Sequence, residues 1–139
     1  MPPLSRWFIK TALLYLVATF VTGVLAVLDP PLQAIPGSGR LAIIYYHLFM
    51  LGWVSQLIFG VANWMFPVRS REAPRGNEQV GWASYGLLNG GLALLLIGEM
   101  LRAASSGPAA LWLIVLAYLA LLLAGLAFVL NTWGRIKGH

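Results

Sequence analysis

The side chains able to do chemistry are few in this chain, and most fall inside long apolar runs, where burying each one costs free energy unless it finds a partner. His47 is the foremost, the only histidine besides the terminal His139. A neutral imidazole in an apolar run needs partners for both ring nitrogens. Three chemistries are open to it: a hydrogen-bonded packing contact, ligation of an iron porphyrin or another metal, and a proton-relay or pH-sensing role. Around it lies the richest polar content of the chain, Tyr45, Tyr46, Gly52, Ser55, Gln56, Gly60 and Asn63. At helical spacing, Gly52, Gln56, Gly60 and Asn63 line one stripe, and His47 lies opposite with Leu51, Val54, Ile58 and Met65. Small residues let another helix approach closely, and amides hydrogen-bond across the contact. Gly86 and Gly90, with Asn89 beside them, form the expected mate. That stripe reads as polar glue between two helices, or else as a ligand or quinone contact at Gln56 or Asn89.

The remaining polar residues ask for less. Thr11, Thr19 and Thr22 can bond back to their own helix. Glu99 stands three residues before Arg102, a spacing that allows a local ion pair. Asp29, ahead of two prolines, is explained by a turn. A glycine-rich phosphate loop, paired carboxylates, a Ser-His-Asp set and a second histidine within an apolar run are all missing. Apart from the outer-end Glu99, no mid-membrane acid or base is present to pair with His47, so a proton-coupled transporter would lack its usual parts. The chain has no cysteine, which excludes disulfides and thiolate metal sites.

The elements that carry these residues are set by composition. Of 139 residues, 60% are hydrophobic and 9% charged, against about 45–50% apolar and about 25% charged in a soluble domain. So few charges cannot cover a soluble fold of this size. Four apolar stretches, near 7–28, 41–66, 80–101 and 109–133, each approach or exceed the roughly 20 residues a helix needs to cross a bilayer. The expected fold is all-α, a single membrane domain of four helices. The second span outruns the bilayer core and must tilt or protrude. The first follows a basic start, but its apolar run is too long for a signal peptide and lacks a small-x-small cleavage site, so it is read as retained.

Charge sets the expected orientation. Arg6, Lys10, Arg69, Arg71, Arg75, Arg135 and Lys137 fall on one side and only Arg40 and Arg102 on the other, which by the positive-inside rule puts both termini in the cytoplasm of an inner, plasma membrane. Trp7, Trp64, Trp82, Trp112 and Trp133 fall near interfaces, whereas Trp53 sits halfway along the second span. The net charge of +5 flanks apolar runs. Its partner is therefore expected to be phospholipid and not nucleic acid. The basic loop 69–78, with Glu72 and Glu78 interleaved, reads as a topology signal and an anionic-lipid contact. Four spans in so short a chain enclose little space, so a substantial site would form between subunits.

The run Tyr46-His47-Leu48-Phe49-Met50-Leu51-Gly52-Trp53-Val54-Ser55-Gln56-Leu57-Ile58-Phe59-Gly60-Val61-Ala62, ending at Met65-Phe66-Pro67, resembles the histidine-bearing helix of membrane proteins related to subunit I of the heme-copper oxidases. The relatives carry an upstream His, a Leu-Gly-Trp/Phe-Val segment, an Ile/Val-Phe-Gly-Val run and a helix-ending Pro. The match covers about one span in four. The family's catalytic subunit has twelve spans in three arcs of four, so the resemblance implies that this chain is one arc and that a homotrimer would rebuild the whole. It also implies a b-type heme with His47 as axial ligand, and Tyr45, Tyr46 and Trp53 against the porphyrin edge. Relatives often carry His-x-His and a further His near the helix end, where this chain has Tyr45 and Asn63-Trp64. A bis-histidine heme therefore cannot form within one subunit, and copper could be held only at a subunit interface.

Two functions follow as expectations, beside a small channel or transporter formed on oligomerisation. One is a heme-binding membrane protein for gas binding or electron transfer through His47. The other is a non-catalytic membrane subunit or assembly protein, packing on partner helices through the Gly52/Gln56/Gly60/Asn63 and Gly86/Asn89/Gly90 faces.

Overall fold

The computed structural model of the chain describes residues 1–28, 40–68, 75–104 and 107–136. They form four long helices: α1 (Pro3–Val27), α2 (Leu41–Met65), α3 (Glu78–Ala104) and α4 (Pro108–Trp133). Each is long and apolar enough to span a membrane. α1 and α3 begin earlier than the apolar runs suggest. Pro3 and Pro108 sit in the first turns of α1 and α4, where a proline loses no helix hydrogen bond. Asn77 starts α3, its Oδ1 accepting from the Gln79 and Val80 backbone N–H groups at 2.9 and 3.4 Å. Asp29, Arg69, Arg71, Glu72, Lys137 and His139 lie outside the described residues.

The helices pair as two antiparallel hairpins. Along α1 and α2, Gly60 meets Phe8 and Ile9, Gly52 meets Tyr15, and Gly23 meets Tyr45. Along α3 and α4, Gly91 meets Ala117 and Leu121, and Gly98 meets Ile114, while Gly81 admits Leu4 of α1. Both seams are thus built on glycines that let the neighbouring helix in. The hairpins join through two apolar clusters. One holds Leu48, Leu92, Leu95, Ile114 and Ala117, and the other Leu4, Phe8, Leu88 and Ala124. In the second cluster Phe59 stacks on Phe128 with centroids 3.8 Å apart, and Phe8 meets Tyr85 edge-on. The outward faces are apolar; Leu14, Phe20, Leu122 and Leu130 are all more than half exposed, as lipid-facing side chains would be.

The middle of α2 departs from the α pattern. Leu48–Ser55 is π-helical, and Ser55 Oγ donates to the Met50 carbonyl five residues back at 2.8 Å. The wider turn changes the register between the two halves of α2. Gly52, Gln56, Gly60 and Asn63 nevertheless stay together, all of them buried. The expected opposite face splits: His47 is half-buried, whereas Ile58 and Met65 are 56% and 69% exposed.

Candidate functional site

His47 faces α4. Its Nδ1 lies 2.8 Å from the Ile43 carbonyl and its Nε2 lies 3.0 Å from the Tyr118 hydroxyl. A carbonyl only accepts, so Nδ1 carries the proton, and Nε2 accepts from Tyr118. Both ring nitrogens are satisfied, and the bond ties the first hairpin to the second. Tyr118 had no role in the sequence beyond being the one polar residue near the middle of the fourth span, and its partner could not be read from spacing. Removing the hydroxyl by Tyr118→Phe is expected to lower stability by about 0.6 kcal/mol, the usual worth of an interhelical hydrogen bond in a membrane. Denaturant unfolding of the two forms side by side measures it.

The stripe on α2 is buried as expected, but its mate is α1. A Cβ at Gly52 would lie 2.7 Å from Tyr15 Cγ, and one at Gly60 would lie 2.8 Å from Phe8 Cβ. Gly86 and Gly90 do not meet the stripe, because α1 occupies the space against it. They are exposed on the outer side of α3, where an added Cβ would find nothing within 4 Å. The one contact of the expected kind is Gln56 Nε2 donating to Asn89 Oδ1 at 3.4 Å. Asn89 Nδ2 donates to the Tyr85 carbonyl at 2.8 Å, and Tyr85 shares a 2.8 Å bond with Thr11. Thr19 and Thr22 bond back to their own helix as read, and Thr11 reaches across instead. Gln56 is fully buried and its Oε1 has no hydrogen-bond partner among the described residues.

At the bundle end that carries the termini, one set of polar contacts ties α1 and α2 to the segment after α4, and a separate pair ties α4 to the start of α3. Asn63 Nδ2 donates to Ser5 Oγ at 3.0 Å. Asn63 Oδ1 accepts from Arg135 Nη1 at 3.2 Å. The rest of the Arg135 guanidinium closes the end of α2: Nη2 donates to the Asn63 and Phe66 carbonyls at 3.0 and 2.8 Å, and Nε to Pro67 at 3.0 Å. These are carbonyls a helix terminus leaves without partners, and a cation there also suits the helix dipole. Arg135 is 1% exposed. Burial first, and the nearby positive charge of Arg75 second, hold its pKa below the ordinary arginine value. Beside it, Asn131 Oδ1 accepts from the Asn77 N–H at 2.8 Å. Gly76 has φ +79°, and its missing side chain admits Asn131, which stands 2.5 Å from where a Cβ would be. At the other end, Glu99 pairs with Arg40 at 2.8 Å and not with Arg102, linking the start of α2 to the end of α3. The basic residues of this network looked like topology signals alone. Their acceptors are mostly main-chain carbonyls, which no side-chain motif announces.

The residues expected around a porphyrin are not gathered about His47. Tyr45 faces α1 at Gly23. The rings Tyr46, Tyr45, Phe49 and Trp53 follow one another along α2 at centroid spacings of 5.6, 6.2 and 5.1 Å, while His47 meets Tyr118. The Tyr118 hydroxyl takes the Nε2 lone pair that an axial metal would need. A surface groove of about 380 Å³ at Phe20, Gly23, Val27 and Tyr45 is not lined by His47. Among the described residues, no three His, Asp or Glu side chains come together. Within one chain these residues do not fit a heme or a copper site. Comparison with protein-family models, with curated proteins and with solved structures finds no match for this chain.

Proposed function

We propose that the chain is a non-catalytic membrane subunit that assembles with further copies of itself, using the small-residue face of α3 as the seam. The contrast among its glycines carries this reading. Gly52, Gly60, Gly81, Gly91 and Gly98 are each filled by a neighbour within about 3 Å of an added Cβ, whereas among the described residues Gly86 and Gly90, paired on α3, and the lone Gly125 of α4 meet nothing within 4 Å. Ala83 and Ala93 extend the same exposed face. In lipid, helices associate by close packing of small residues and not by hydrophobicity. A face made of small residues meets another like it most closely, and in a second copy that face recurs without any further design. The polar residues of the spans support the reading too, since His47, Asn63 and Asn89 all bond within their own chain. A trimer is the number that the one-helix resemblance implies. The positive-inside rule places the termini in the cytoplasm, with Arg6, Lys10, Arg75 and Arg135 on that side.

Gly86→Leu with Gly90→Leu is the test. The double variant is expected to fold with its stability within about 0.5 kcal/mol of the parent, as outward substitutions do, and to run as a monomer in light scattering of the detergent complex. An unchanged oligomer would remove the α3 seam, and a monomeric parent would remove self-assembly.

A second reading rests on the His47 tautomer. The Nδ1 proton held by a main-chain carbonyl leaves the lone pair on Nε2, which here accepts from Tyr118, and a metal-ligating histidine is oriented by the same kind of Nδ1 bond. In this reading His47 binds a b-type heme seated between copies, exchanging the Tyr118 bond for iron. Visible spectra of protein purified from heme-replete cells, oxidised and reduced, test it with His47→Ala alongside. A Soret band lost in the variant supports it, and a flat spectrum ends it.

A further inference from the structure

On α1, Arg6 and Lys10 stand one turn apart on the outer face of the bundle, and both are exposed. At that spacing the two side chains are neighbours, about 5–6 Å apart at Cβ, and like charges so placed repel. Nothing on the described chain answers them. α1 holds no acidic residue, and neither side chain has an ion pair or hydrogen bond among the described residues. Glu78, a carboxylate at the same end, shares a recess with Leu4, which precedes Arg6 by two residues and so lies about 200° round the helix from it. Depth adds to the demand. α1 has 25 residues, about 37 Å at the usual rise, against a hydrocarbon core of about 30 Å. With the helix centred on that core, the Lys10 backbone, about 10 Å from the start of α1, lies inside it. A helical Cα–Cβ bond tilts toward the N-terminus, so the Lys10 stem leads its ammonium back toward Arg6 and the headgroups. Trp7, 55% exposed beside the pair, is the residue type that marks headgroup depth. In line with the two charges, the same face continues as Leu13, Val17 and Val24, each more than half exposed.

We infer that this face of α1 binds an anionic phospholipid, its phosphate held between Arg6 and Lys10 and an acyl chain laid along Leu13, Val17 and Val24. An anion relieves the like-charge pair, and anionic headgroups supply it at the depth that a basic side chain of α1 reaches. The apolar lane below the charges favours a lipid over a free anion, which has nothing to set against it. The inference rests on α1 crossing the bilayer and not on the α3 seam, since Arg6 and Lys10 belong to the other hairpin. A monomeric protein would bind the lipid equally.

The test uses the full chain in neutral detergent. Native mass spectrometry follows titration with phosphatidylglycerol, with phosphatidylcholine, and with phosphatidylglycerol in the presence of inorganic phosphate at constant ionic strength. Phosphatidylglycerol is expected to bind more tightly than phosphatidylcholine. Arg6→Gln and Lys10→Gln are each expected to weaken it about fivefold, the factor that one basic residue near an anionic surface supplies. Lys10→Arg keeps the charge and is expected to bind as the parent does. Arg102→Gln removes an equal charge at the opposite end of the bundle and is expected to leave the affinity unchanged. All three positions are exposed, so the variants are expected to fold as the parent does. Equal affinity for the two lipids, or an equal loss in Arg102→Gln and Lys10→Gln, overturns the site. Displacement of phosphatidylglycerol by inorganic phosphate makes the ligand a free anion and overturns the lipid.

Discussion

Arg135→Met is expected to destabilise the chain by roughly 3 kcal/mol, the cost of breaking a buried, charge-assisted hydrogen-bond cluster by removing one side of it. The guanidinium makes four hydrogen bonds, three of them to the Asn63, Phe66 and Pro67 carbonyls that finish α2. Methionine would fill much of the volume and leave those acceptors buried without donors. Asn63 would also lose the bond that orients its amide toward Ser5, so both hairpins loosen together. Arg135→Lys should recover less than half of the loss, since a single ammonium cannot span acceptors arranged for a planar fork. Equilibrium unfolding in mixed micelles, followed by tryptophan fluorescence, checks both. If methionine is tolerated within about 0.5 kcal/mol, Arg135 does not hold the bundle end together.

Gly60→Leu is expected to cost as much or more, by forcing α1 away from α2. A Cβ at Gly60 would come to 2.8 Å from Phe8 Cβ, 3.0 Å from Ile9 Cγ1 and 3.2 Å from the Ser5 carbonyl oxygen. Two of these neighbours sit at or near the backbone, so no rotamer change relieves them. Overpacking of this kind typically costs about 1–3 kcal/mol, and more when backbone must move. The comparison with Gly86→Leu, on a face with nothing within 4 Å, separates packing from helix propensity: both changes favour the helix intrinsically, and only one should unfold it. Resistance of each purified variant to SDS gives the ordering, and similar behaviour of the two would contradict the seam described between α1 and α2.

The four helices were legible because bilayer length and apolar runs fix them almost alone. The buried stripe Gly52, Gln56, Gly60 and Asn63 was legible too, since small and amide residues at helical spacing stand out among leucines. Its partner was not. The sequence reading matched glycines with glycines, placing Gly86 and Gly90 against the stripe, whereas α1 supplies Ser5, Phe8 and Tyr15 there. A glycine accepts a bulky neighbour as readily as another glycine, so spacing cannot choose between them. The π-helical turn at Leu48–Ser55 also escaped, because the run has no proline and its single glycine is no signal for it. That turn is where the α-helical face holding His47, Ile58 and Met65 breaks apart. Long-range pairs such as His47–Tyr118 and Glu99–Arg40 depend on how two hairpins dock, and no local pattern encodes the docking.

The absence of cysteine from the chain makes the central claim directly testable by single-cysteine crosslinking in native membranes. Gly90→Cys puts a thiol at the middle of the α3 face, and Leu122→Cys puts one on the lipid-facing side of α4, where the parent residue is 59% exposed. With mild oxidant, assembly through α3 gives a disulfide-linked dimer from Gly90→Cys and none from Leu122→Cys at the same expression level. A Gly90→Cys chain that stays monomeric, or that crosslinks no better than Leu122→Cys, would contradict assembly through α3.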